Sequence, residues 1–441
     1  MSMTLNGDSV ITAPLTMGFG SSNVTSNVAV GLYALNANTT GSNNTAIGNY
    51  ALNINTTGSN NTSVGHNSLA SNIVGIHSTA VGRYALSLNT ASYNTGVGSG
   101  ALQNNTTGTP NDALGYQALY SNTTGAYNVA VGYQSMYSNT IGTTSTSIGY
   151  QSLYFQTNSY DNTAIGMEAL KLTTTGDSNT AVGRRALYAN TTGVASVAVG
   201  AYAAAASTTA SGITAIGYGA LSVNTGSSNT AVGVQTLYAN TTGIQNVAVG
   251  SYALIANTIG QGHVAVGSSA LQANTTGVNN TAVGLNSLYT NTIGSYNSAF
   301  GTASLQKNTT GDHNTAIGYY ALFNNTVGVY NIAAGGYALD ANTTGTQNVA
   351  IGYDGLGANT TGVQNVAVGF QALAGNTTGQ QNTAIGAASL GSNNGNYNTA
   401  VGYAAMTNSS GASSNVAIGQ GALANLSTGA NNTAVGTNAG N

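Results

Sequence analysis

The stretch NTAIGNYALNINTTGSN, residues 44–60, decides how the chain is to be read. It recurs with small changes along the sequence. The Gly that closes its NTAIG part, Gly48, has counterparts at Gly31, Gly65, Gly82, Gly98, Gly115 and onward to Gly436, 25 in all. Twenty-one of the 24 spacings are 17 residues and three are 16. A fixed period of this length marks a repeat architecture, in which each unit is too small to bury a core alone and stacks on its neighbours.

Each position around that Gly has its own chemistry. The residue before it is always apolar and is Val or Ile in 22 copies; the residue two before is Ala in 22, otherwise Ser63, Gly96 or Ser147; Asn stands four before in 20. Leu stands four after in 21, with Met136 and Met406 as near-isosteres, and Asn seven after in 19 of the 24 complete units. β-branched residues at alternate positions before the Gly predict a strand. The ALxxNTTG portion predicts a second short strand around Ala-Leu, then a turn whose Asn and Gly take left-handed backbone conformations. In the 16-residue units the residue is missing from that turn (Asn89–Asn94, Asn224–Asn229, Asn393–Asn398), while the VG and AL columns are kept. Loops absorb deletions and stacked core columns do not.

The expected fold is all-β, a parallel β-solenoid or β-roll of about 25 coils with a 17-residue repeat; residues 1–26 form an N-terminal leader and attachment segment and residues 27–441 the repeat region. At about 4.8 Å per coil the steps add up to a rod of roughly 115 Å. The Val/Ile and Leu columns are expected inside, and the Asn columns as ladders of side-chain amides. The Ala column points opposite to the Val/Ile column. Its constancy implies close contact with another surface, most simply copies of the same rod around a common axis, so a homotrimer is expected; a tight bend that admits only Ala is the plainer alternative.

Composition narrows the function. Five Lys+Arg and eight Asp+Glu make 3% of the chain charged, against about 25% in ordinary domains. Five scattered cations cannot supply the phosphate contacts that nucleic-acid binding needs. A net charge of −3 with 41% hydrophobic residues argues against charge-driven disorder. Gly has no three-residue period and Pro is nearly absent, which excludes collagen. No Cys is present, so there is neither a disulfide nor a thiolate site. The opening MSMTLNGDSVITAP has no basic segment followed by an apolar run, and no run of about 18 apolar residues suggests membrane insertion.

Residues with chemistry are scattered. His66, His77, His263 and His313 form no metal-binding pattern and read as surface substitutions in a repeat. Asp312-His313 near Thr309 and Thr310 has the composition of a base and its orienting group, but no nucleophile-elbow motif accompanies it. Asp112, Asp161, Glu168, Asp177, Asp312, Asp340 and Asp354 do not recur every unit, as calcium-stapled β-rolls require. Arg184-Arg185 and Glu168, one unit apart, are expected to form an ion pair across coils. Tyr116, Tyr133, Tyr150, Tyr218, Tyr319, Tyr353 and Tyr403 flank the Gly, and Tyr120, Tyr137, Tyr154 and Tyr188 follow the Leu column. Such ladders read first as packing between coils or chains, second as a face for sugars. The N-x-[ST] triplets of NTT are explained by turn and ladder, not as glycan sites. No enzyme, cofactor or metal site is expected, and no receptor-binding residue is assigned.

Units such as residues 44–60 and NVAVGYQSMYSNTIG, residues 128–142, together with the N-[ST]-[VA]-[AV]-[IV]-G segments at Asn27–Gly31 and Asn415–Gly419, resemble the head repeats of trimeric autotransporter adhesins, the YadA-type head. That resemblance implies a left-handed parallel β-roll wound as a trimer. The NTAVG…NTTG arrays and the opening Met3–Asp8 with Ile11–Pro14 are also similar to phage tail-fibre proteins. The resemblance implies a virion fibre, attached to the particle by its N-terminus and reaching a host surface receptor, carbohydrate among the candidates. A cell-surface adhesin is the first alternative. An ice-binding solenoid is the second, disfavoured because NTT sits at a turn and lacks a Thr-x-Thr strand pattern.

Overall fold

The computed structural model describes residues 17–21 and 24–440, which contain strands, turns and bends and no helix. They divide into two compact units, one ending at Ala210 and one beginning at Ser211. Strand β1 (Met17–Gly18) lies antiparallel to β2 (Val28–Val30). From β2 to Val197–Val199 in the first unit, and from Thr214–Ile216 to Thr433–Val435 in the second, one strand of three or four residues recurs per repeat. Within each unit, every strand pairs in parallel with its counterpart in the next repeat: Thr45 with Thr62, Ala46 with Ser63, Ile47 with Val64. Each unit is a parallel β-solenoid. Most of the expected leader, residues 1–26, lies outside the described residues.

The 16-residue units hold register, Thr79 opposite Thr95 and Val81 opposite Val97. Their turn shortens: the Asn89 amide donates to the Ala91 carbonyl two residues on, whereas Asn55 reaches the Gly58 carbonyl three residues on.

The strand alternates as expected, but its two faces are exchanged. The Ala column is buried from Ala29 to Ala417, and the Val/Ile column, expected inside, lies at the surface. The Asn four before the Gly decides this. It lies two residues from the Ala and so shares its face. That Asn must be inside: Asn44 Nδ2 donates to the Gly58 carbonyl at 2.8 Å, and Asn44 Oδ1 accepts from the Asn61 amide at 3.0 Å. Across from the Ala column stands the residue three after the Gly. Where both positions are Ser, the hydroxyls meet, Ser63 with Ser68 at 2.5 Å and Ser147 with Ser152 at 2.6 Å. A Cβ at Gly96, in the Ala column, would stand 3.1 Å from Leu86 Cγ. The space between strand and Leu column admits a methyl group and little more. Ala is thus constant because its own coil is narrow, not because another chain touches it there.

Among the described residues no second strand forms around Ala-Leu. The Leu column itself is left-handed, with φ of 50° at Leu35 and 48° at Leu52, as is the residue two before it, Tyr33 at 60° and Tyr50 at 59°. Each such residue costs about 1–2 kcal/mol. The cost is offset by complete burial of Leu52 and by stacking hydrogen bonds outside the strands, Leu52 N to Ser68 O at 3.1 Å and Thr39 N to Thr56 O at 2.9 Å. The turn Gly is not left-handed either. That conformation belongs to the strand-closing Gly, φ 136° at Gly48. The turn Gly is required for room: a Cβ at Gly58 would lie 2.4 Å from both Asn55 Oδ1 and the Gly75 carbonyl.

The Asn ladders are present and buried. Asn55 Nδ2 donates to Asn38 Oδ1 at 3.0 Å, and Asn72 to Asn55 at 3.1 Å. The same amides close the turn carbonyls. The NTT asparagines are consumed inside the coil, which takes them out of reach of glycosylation. The first Thr of each triplet donates along the stack, Thr56 Oγ1 to Ile73 O at 3.1 Å.

Candidate functional surface

With Ala, Leu and Asn committed to the interior, what the coils present outward is the candidate for function. The position before the Gly forms an apolar column, including Ile148, Ile165 and Val199 in the first unit and Ile317, Ile351 and Ile385 in the second, each between 37% and 48% exposed. The positions three before and one after the Gly flank it. They add exposed Val28, Val197 and Met167 in one unit and Val247, Ile332 and Phe370 in the other. A contiguous apolar surface larger than a few hundred Å² is unusual on a monomer and marks an interaction face.

Residues 115–154 carry a second feature and no charged side chain. Tyr116, Tyr133 and Tyr150 stack at 5.3 Å between ring centroids, and Tyr120, Tyr137 and Tyr154 at 5.1 Å. Near them runs a Gln ladder, Gln134 Nε2 to Gln117 Oε1 at 3.0 Å and Gln151 to Gln134 at 2.9 Å. The rings cover one another's faces. Tyr133 and Tyr137 each lie between two neighbours, so neither of these two rings has a free face for a sugar. The geometry fits packing between coils. The Gln ladder escaped sequence reading because its column is variable elsewhere; Gln at 17-residue spacing was the available signal.

The expected ion pair is present and larger than anticipated. Glu168, almost fully buried, accepts from Lys171 Nζ at 2.6 Å and from Arg185 Nε at 2.6 Å. The hydrogen bond from Lys171, with help from Arg185 and against the effect of burial, holds the Glu168 carboxyl below its ordinary range. Arg185 also lies over the Tyr188 ring. Farther on, burial and then the charge of Asp354 push Asp340 up to about 6. Among the described residues no three His, Cys, Asp or Glu side chains come together as metal ligands.

The histidines separate. His66 and His77 touch Tyr rings at the surface. His313 is stacked between Tyr296 and Tyr330, 4.9 Å from each, while Asp312 Oδ1 accepts from the Ser295 amide and Thr309 Oγ1 donates to Thr326 O. The structure gives these groups different partners. His263, read from sequence as a surface substitution, is fully buried in the Asn column. Its Nδ1 accepts from the Asn280 amide at 3.2 Å, and Nε2 lies 3.1 Å from Asn274 Nδ2. Burial lowers its pKa to about 4, keeping the ring neutral. It stands where Asn stands in other repeats because an imidazole nitrogen accepts as the amide oxygen does.

The fold thus defines a β-solenoid repeat protein. Comparison with protein-family models gives no match, and neither does comparison with curated proteins.

Proposed function

We propose that the chain is a structural attachment fibre of a virion, working as a homotrimer, with its leader engaging the particle and its repeat region reaching toward a host surface receptor. The observation that carries this reading is the outward Val/Ile column. Each copy of the chain would present the same stripe at the same spacing, so identical chains meet it coil for coil. This assigns the chain–chain contact to the Val/Ile face, in place of the Ala column from which a trimer was first inferred. The low charge supports it too, since like charges repeated at coil spacing would repel. The head-repeat resemblance favours the same assembly. A fibre of this kind needs no catalytic centre and no cofactor.

Mass measurement under native conditions is expected to give three chains. Replacing Val182 and Val199 with Glu is expected to yield single chains that keep their strand signature. A wild-type monomer would overturn the trimer. Cryo-EM of particles and antibody labelling of cells separate the virion fibre from the cell-surface adhesin: label on cells and none on particles would refute the virion assignment.

A further inference from the structure

The stacked tyrosines carry an inference independent of the fibre reading. Tyr120, Tyr137 and Tyr154 stand on consecutive coils, with centroids 5.1 Å apart and interplanar angles of 4° and 5°. Tyr116, Tyr133 and Tyr150 repeat the arrangement at 5.3 Å, with angles of 18° and 9°. Backbone hydrogen bonds hold the first column in register, Ser121 N to Tyr137 O and Ser138 N to Tyr154 O, both 3.0 Å. The second column is open to solvent, each ring close to half exposed. The chain has neither Cys nor Trp, so a diffusible one-electron oxidant meets tyrosine with little competition.

We propose that these stacks are sites of oxidative tyrosine–tyrosine cross-linking, which staples each coil covalently to the next. The oxidant is a peroxide working through a one-electron peroxidase. Each of two neighbouring phenols gives up one electron and its hydroxyl proton, leaving a phenoxyl radical with spin density on the ring carbon ortho to oxygen. The two ortho carbons form a carbon–carbon bond. Each then loses its hydrogen as a proton, each oxygen regains one, and both phenols are restored. Two electrons and two protons leave in all, and they reduce one peroxide to water. Parallel rings held one coil apart direct the bond to residues 17 apart in sequence, whereas freely diffusing radicals would couple between chains.

The test treats the full chain with horseradish peroxidase and hydrogen peroxide, follows dityrosine fluorescence, and maps the links by mass spectrometry. Expected are intrachain pairs Tyr120–Tyr137, Tyr137–Tyr154, Tyr116–Tyr133 and Tyr133–Tyr150, each short of two hydrogens. Tyr397 and Tyr403, more exposed but outside any ring stack, should stay unlinked at low protein concentration. Tyr137→Phe keeps the stacked ring and should abolish both links of its column while sparing those of Tyr133. Links distributed without regard to the stacks, or a yield in the Tyr120 column unchanged by Tyr137→Phe, would overturn the proposal.

Discussion

The two units share their Leu and Ala columns but differ in the buried amide ladder. In the second unit the ladder runs unbroken from Asn224 to Asn376, each Nδ2 donating to the Oδ1 one coil before, and breaks beyond it, where Asn376 Oδ1 and Asn393 Nδ2 are buried without partners. In the first unit it fails repeatedly. Asn72 Oδ1 loses its donor where the 16-residue coil begins, and Gln156 Oε1, Thr173 Oγ1, Asn190 Oδ1 and Ser207 Oγ are buried without partners. A shortened turn moves Asn89 out of reach, and Thr or Ser is too short to bridge to the neighbouring coil. In stacked repeats stability is close to a sum of unit and nearest-neighbour terms, so coils around residues 156–207 should exchange amide hydrogens sooner than those around 240–359.

The largest effect is expected from breaking the intact ladder. Asn308→Ala removes the donor to Asn291 Oδ1 and Gly311 O, and the acceptor for Asn325. Gly311 O keeps the Asn297 amide and Asn325 Nδ2 keeps Gly328 O, so Asn291 Oδ1 and one Nδ2 hydrogen of Asn325 are left unpaired. At about 1–3 kcal/mol each, the change should cost about 2–6 kcal/mol in urea denaturation and speed exchange locally. Ser207→Ala, in the broken ladder, removes a hydroxyl that has no partner and should be close to neutral. Equal losses at the two sites would refute the contrast.

Next comes pH. His263 has a folded pKa of about 4 against 6.5 when free, so the unfolded chain binds the proton more readily. The stability that neutral His263 confers is complete above pH 6.5 and is lost as pH falls toward 4, by roughly 3 kcal/mol for a shift of this size. His263→Asn restores the usual residue and should flatten that part of the stability profile of the second unit. An unchanged profile would mean that the imidazole is not the group responsible.

The smallest effect is a repair. Thr173→Asn places an amide beside Gln156 Oε1, which has no donor now, and should stabilise the first unit by about 1 kcal/mol, read as slower exchange at residues 156–190.

Much of this was legible in advance, and unevenly. The period, the strand before the Gly, the survival of register through the 16-residue units, the amide ladders and the Glu168–Arg185 pair all follow from residues recurring at one spacing. The candidate surface was legible only in its parts. The Tyr columns were visible, but that their rings cover one another became clear only from ring orientation. His263 was misread because the Asn it replaces was not recognised as interior.

What the sequence by itself determined is the stacking of like on like, since a fixed repeat allows only one register. What it left open is which of two alternating columns faces inward. Alternation separates Ala and Asn from Thr and Val/Ile, and hydrophobicity alone points to Val/Ile as the core. The tertiary structure decided otherwise, because the turn carbonyls at Gly58 and its counterparts need an amide from inside the coil. The Asn that supplies it brings Ala with it, and the left-handed Leu fills the remaining width. Val and Ile are thereby left on the surface.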